Sequence, residues 1–219
     1  MVEKKTGVQT EVQIEADTVL LKGFLNVPPE AKGIVLFAHG SGSTRLSPRN
    51  QMVASFLNDS SIGTLLFDLL TPDEEETDNR SRSLRFNIPF LTERLIAVTE
   101  WIFDYPETHH LTVGYFGAST GAAAALIAAA ELKNRIQAVV SRSGRPDLAG
   151  QSLYRVLCPT LLIVGGNDFG VVELNQHSLD LLACKKKIEI VEGATHFFDE
   201  PGALERVAHM ATIWFGEYL

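Results

Sequence analysis

Two hydrophobic periods alternate along the chain, one suited to strands and one to helices. Val8 to Ala16 and Thr18 to Val27 switch between polar and apolar at nearly every step, as half-exposed strands do. Their closeness around Asp17 predicts an antiparallel pair at a sheet edge, ended by Pro28-Pro29. Then the pattern changes. Gly33 to Ala38 (GIVLFA), Ile62 to Leu69, Leu111 to Phe116, Ile136 to Val140, Thr160 to Val164 and Lys187 to Val191 are largely continuous apolar runs of strand length. Such runs are expected of strands buried on both faces. Helix signals separate them. Ser47-Pro48 combines an N-cap with a first-turn proline and opens a helix to about Leu57. Phe86 to Tyr105 puts Phe90, Leu91, Leu95, Val98 and Ile102 on one helical face. An alanine-rich helix follows Ser119, a short helix fits Pro146 to Val156, and another spans Val171 to Leu182. Pro201 is expected to open a closing helix to about Tyr218, with Asp199 and Glu200 in its first turn. Thr71 to Leu84 is polar, with five acids between Asp73 and Asp78, and is predicted to be a solvated loop.

Strands alternating with helices specify an α/β fold, a mostly parallel central sheet with helices on both faces. A chain of 219 residues without linker, repeat or low-complexity tract is expected to form a single domain over 1–219. A net charge of −8 and the lack of a basic run argue against nucleic acid or an anionic membrane as partner. Met1 to Lys5 is polar and leads into no signal-like apolar segment, and the most apolar helix is too short to span a bilayer, so a cytoplasmic location is expected. Cys158 and Cys184 form neither a disulfide framework nor a metal motif, and no metal or cofactor is expected.

The candidate chemistry lies at the carboxyl ends of the parallel strands, where open sheets of this kind place their sites. Gly117-Ala118-Ser119-Thr120-Gly121 has the form G-x-S-x-G between an apolar strand and a helix, which lifts a serine hydroxyl above the sheet on a strained turn. A serine needs a base, and histidine suits that role near neutrality; the histidine in turn needs a carboxylate to hold its tautomer. Asp168 and His196 follow Ser119 in the order expected of a hydrolase on such a sheet, at the ends of the last two strands. Asp168 has a second reading as a helix cap. The remaining histidines, His109, His110, His177 and His209, lie before a strand or within helices and read as surface or packing residues. Two backbone N–H groups are candidates for an oxyanion hole: that of Thr120, and that of Ser41 in the glycine-rich turn His39-Gly40-Ser41-Gly42-Ser43. Arg142, at another strand end, either binds an anionic substrate group or pairs with Asp147 or another acid. Phe197, Phe198 and Leu70 are expected to line a small apolar pocket that favours short acyl chains.

With His39-Gly40-Ser41-Gly42, Gly117 to Gly121, Gly166-Asn167-Asp168 and Gly193-Ala194-Thr195-His196, the chain resembles the α/β-hydrolase fold over nearly its whole length. It is most similar to the dienelactone-hydrolase-like branch, which lacks a large cap. The resemblance implies Ser119 as nucleophile, Asp168 as acid and His196 as base. It departs from true dienelactone hydrolases at two places. They carry a cysteine nucleophile where this chain has Ser119, and a carboxylate-binding arginine shortly after the histidine, where it has Phe197, Phe198, Asp199 and Glu200. The expected activity is therefore carboxylesterase-like cleavage of a small-molecule ester through an acyl-enzyme. Alternatives are a dienelactone, lactone or thioester hydrolase, or a non-catalytic binding protein on the same fold. Both monomer and homodimer remain open.

Overall fold

In the computed structural model, which describes residues 7–219, the two alternating segments form β1 (Thr10–Ala16) and β2 (Val19–Asn26), paired antiparallel. The reading of Met1 to Lys5 lies outside the described residues. On β1 the period of two is clean: Val12, Ile14 and Ala16 are buried, and Glu11, Gln13 and Glu15 face solvent. Asp17 turns the chain at φ 52°, a left-handed conformation that aspartate tolerates.

The apolar runs become β3 (Gly33–Ala38), β4 (Gly63–Phe67), β5 (Thr112–Ala118), β6 (Ile136–Arg142), β7 (Thr160–Gly165) and β8 (Lys186–Val191). With β1 and β2 they form one eight-stranded sheet in the order β1-β2-β4-β3-β5-β6-β7-β8. β2 joins β4 antiparallel, and every pairing from β4 to β8 is parallel. Along β3, Ile34 and Leu36 enter one core while Val35 and Phe37 enter the other, so both faces are covered. The first core is closed by α3 (Ile88–Asp104), through Leu91, Leu95, Val98 and Ile102, and by α4 (Thr120–Leu132). The second is closed by α1 (Pro48–Asp59) and α6 (Ala203–Tyr218), which contribute Leu57, Val207 and Phe215. α4 packs almost entirely through alanines; Ala122 to Ala125 are fully buried, and their small volume lets the helix lie close to β5.

Two expectations are corrected. Thr71 to Leu84 is not a loop, because Pro72–Ser81 forms α2. Thr71 caps it reciprocally with Glu74, proline occupies the first turn, and Asp73, Glu74 and Glu75 sit at the positive helix end. Its carboxyl end is tied down by Asp78, which accepts from the backbone N–H groups of Leu84 and Arg85 and from Arg85 Nε. The closing helix, moreover, begins at Ala203. Pro201 lies in the turn before it and Gly202 takes φ 75°, so Asp199 and Glu200 are outside the helix. Between β6 and β7 there is only a 3-10 segment, Pro146–Arg155, broken at Gly150, and no large cap. α5 (Phe169–Leu181) links β7 to β8. No helix among the described residues is long and apolar enough to cross a membrane.

Candidate active site

Ser119 stands between the last residue of β5 and the first of α4, with φ 50° and ψ −121°. For a residue with a side chain this conformation costs roughly 1–3 kcal/mol, so the surroundings must impose it. They do so through three backbone bonds. The Ser119 N–H donates to the Arg142 carbonyl at 3.2 Å, and its carbonyl accepts from Ala122 at 3.1 Å and Arg145 at 3.0 Å. The flanking glycines are needed for lack of room. A Cβ at Gly117 would lie 2.4 Å from Ala122 Cα, and one at Gly121 would lie 2.1 Å from the Ala38 carbonyl oxygen. Thr120 begins α4, so its N–H has no intrahelical acceptor.

The turn after β3 passes directly over this elbow; a Cβ on Gly40 would sit 3.0 Å from Ser119 Cβ. His39, which the sequence reading treated only as part of the turn, clamps it. The ring is buried, its Nδ1–H donates to the Gly40 carbonyl at 3.0 Å, and its Nε2 accepts from the Leu69 N–H at 3.0 Å. That pair of bonds specifies the neutral ring. Burial, the largest influence, holds the His39 pKa below its ordinary 6.5 against the opposing Gly40 bond and the charges of Asp68 and Glu75. The unfolded chain therefore binds this proton more readily. Stability from His39 is complete above pH 6.5 and declines as pH falls below it. Urea unfolding at pH 7 and pH 5 is expected to show a smaller loss of stability for His39→Gln than for the wild type; equal losses would remove His39 from this role.

Asp168 follows β7 at the N-cap position of α5, yet its side chain caps nothing. Its Oδ2 instead lies 2.6 Å from His196 Nδ1. The two loops that carry these residues are stitched together: Asn167 donates through its backbone N–H to the Ala194 carbonyl and through Nδ2 to the Gly193 carbonyl. Thr195 N–H adds a bond to Glu200 Oε1 at 3.0 Å, fixing the approach to His196. Ser119, His196, Ser41, Arg142 and Phe197 all line one cleft. Among the described residues no hydrogen bond joins Ser119 to His196, a contact that in unliganded sites commonly tightens only with substrate.

The rest of the cleft differs from expectation. Arg142 does not pair with Asp147; Arg145 takes that carboxylate with bonds of 2.8 and 2.7 Å. Arg142 is 8% exposed, and its Nε and Nη1 have no partner among the described residues. Burial and then the nearby Arg49 push its pKa down to about 10, with Asp199 opposing, so it remains charged near neutrality. Phe197 is half exposed, and the Arg49 guanidinium lies 4.6 Å from its ring centre while bonding Asp199. Phe198 is buried in the core beside α6, turned inward at φ 57°, and Leu70 lines a neighbouring pocket with Leu69 and Leu91, which shares Gly40, Ser41 and Ser43 with the cleft. Phe197, Phe198 and Leu70 therefore do not line one common pocket. Instead Ser43, Ser47, Ser143 and the two arginines surround the serine, giving a polar and basic cleft.

No family model matches the chain. A crystal structure of a dienelactone hydrolase from Anabaena variabilis is 53% identical, with a TM-score of 0.96 over 98% of this chain and 99% of that one. Est1E from Butyrivibrio proteoclasticus shares the fold at 17% identity, with a TM-score of 0.79 over 94% of this chain and 98% of that one. A Mycobacterium tuberculosis protein that carries the provisional name phosphoribosyl transferase is 54% identical over 209 residues, which is 95% of this chain and 46% of that protein. The chain thus spans about half the length of the curated relatives it matches.

Proposed function

The chain belongs to the dienelactone-hydrolase-like branch of the α/β-hydrolases, and on that premise we propose that it is a serine hydrolase cleaving small esters through an acyl-enzyme. The observation that carries this reading is the 2.6 Å contact of His196 Nδ1 with Asp168 Oδ2 on the wall of the cleft that holds Ser119.

In this reading Asp168 stays ionised and accepts a hydrogen bond from His196 Nδ1–H, which leaves Nε2 unprotonated and free as base. Ser119 Oγ attacks the ester carbonyl and passes its proton to Nε2. The resulting oxyanion accepts from the N–H groups of Thr120 and Ser41. Collapse breaks the bond to the alcohol, which leaves with the proton from His196. Water, deprotonated by the same nitrogen, then attacks the acyl-enzyme, releases the acid and restores Ser119. Atoms and charge balance with water as the only co-reactant, so no cofactor is invoked. Arg142 and Phe197 flank the substrate. A second reading, lactone hydrolysis, is supported by the name of the 53% identical Anabaena relative. The steps are the same, with the leaving alcohol still tethered to the acyl part.

The test is coupling between the base and its partner. With 4-nitrophenyl butyrate, His196→Ala is expected to lower kcat by about 10⁶, Asp168→Asn by about 10⁴, and the double variant by no more than His196→Ala alone. Losses that multiply would mean the two residues act independently.

A further inference from the structure

We propose that Arg142 is a specificity-determining residue, and that the cleft is built for an ester or lactone bearing a negatively charged oxyacid group, a carboxylate or a phosphate. The proposal rests on the serine hydrolase reading for where the reacting carbonyl sits, and adds the chemistry of what is attached to it.

A buried guanidinium is expensive unless its charge is paired and its N–H groups are bonded. Arg142 is 8% exposed and has neither: among the described residues Nε and Nη1 lack partners, and no acid bonds it. Its neighbours make matters worse, since Arg49 lines the same cleft and adds positive charge. The nearby acids are already engaged. Asp147 is held by Arg145, and Asp199 is held by Arg49. Ser143, the next residue, also has a buried hydroxyl without a partner. A protein that needed Arg142 only for packing would do better with methionine or leucine at the end of β6. What remains to compensate the charge is a ligand, and the side chain lines the cleft of Ser119 and His196. Arg142 also enters from β6, not from the loop after His196, so the chain meets an anion from the other wall of the site.

Two measurements on the full chain test this. The first reads binding without turnover. Titration calorimetry on Ser119→Ala with glutarate, and separately with inorganic phosphate, is expected to show binding of at least one, weakened about tenfold or more in Ser119→Ala with Arg142→Met. The tighter anion identifies the group. The second compares kcat/KM for 4-nitrophenyl hemisuccinate and 4-nitrophenyl butyrate. The wild type is expected to favour the anionic ester by about tenfold or more, Arg142→Lys to keep part of that preference, and Arg142→Met to lose it. A purely structural arginine would give a lower melting temperature and an unchanged preference, whereas Arg142→Met is expected to melt no lower than the wild type. Absence of binding to both anions, or equal binding by the two variants, overturns the proposal. If neither ester is turned over while an anion binds through Arg142, the hydrolase reading fails and the anion site stands.

Discussion

Ser119→Ala is expected to lower turnover of 4-nitrophenyl butyrate by about 10⁶, leaving roughly the 10³–10⁴-fold advantage over water that binding and an oxyanion hole supply. The fold is expected to survive, because Ser119 holds its place through backbone bonds to Ala122, Arg142 and Arg145 that alanine keeps. The backbone at φ 50° adds a second expectation. Glycine is free of the strain there, so Ser119→Gly is expected to be equally inactive yet more stable than Ser119→Ala by about 1 kcal/mol. Steady-state rates and urea midpoints check both. Wild-type rates in either variant would remove Ser119 from the chemistry.

Gly121→Ala is expected to do nearly as much damage without touching a reacting atom. The added Cβ would fall 2.1 Å from the Ala38 carbonyl oxygen and 2.5 Å from that of His39. Both are backbone atoms, so no rotamer change relieves the overlap. Either α4 or the turn after β3 must move, and these are the elements that place Thr120 and Ser41. Overpacking of this kind costs about 1–3 kcal/mol or more. A displacement near 1 Å at the site costs about 10² in rate. Gly216→Ala is the control: a Cβ there meets nothing within 4 Å, and in the last turn of α6 it is expected to be neutral or to stabilise by up to about 0.5 kcal/mol, with activity retained. Urea unfolding and kcat/KM measured on both variants decide the matter; a Gly121→Ala enzyme of normal stability and rate would show that the close approach is not needed.

The sheet was legible because burial on both faces leaves continuous apolar runs, and β3 matches its run residue for residue. The elbow was legible because G-x-S-x-G fell between a strand and a helix, and the contacts at Gly117 and Gly121 show why those positions are glycine. α2 was missed although its start signal is written in Thr71, Pro72 and Glu74. The helix has no apolar stripe, and Asp78 alone is buried on it, so hydrophobic periodicity carried no information there. The cleft wall was misread for a different reason. Phe197 and Phe198 are adjacent, but the positive φ of Phe198 sends it into the core. Likewise Arg142 and Arg145 are equally plausible partners of Asp147 in sequence, and only the turn after β6 decides between them. His39 gave no signal beyond its place at a strand end, because its bond to Leu69 links the segments that follow β3 and β4, which are distant in sequence.

The central claim is that Ser119, aided by His196 and Asp168, forms a covalent acyl-enzyme. Intact-mass spectrometry after brief exposure to a fluorophosphonate probe tests it most directly, since the probe phosphonylates an activated serine and spares ordinary hydroxyls. The expected result is a single adduct on the wild type, mapped by peptide sequencing to Ser119, slowed strongly in His196→Ala and absent from Ser119→Ala. An unlabelled wild type, or an adduct that persists in Ser119→Ala, would contradict it.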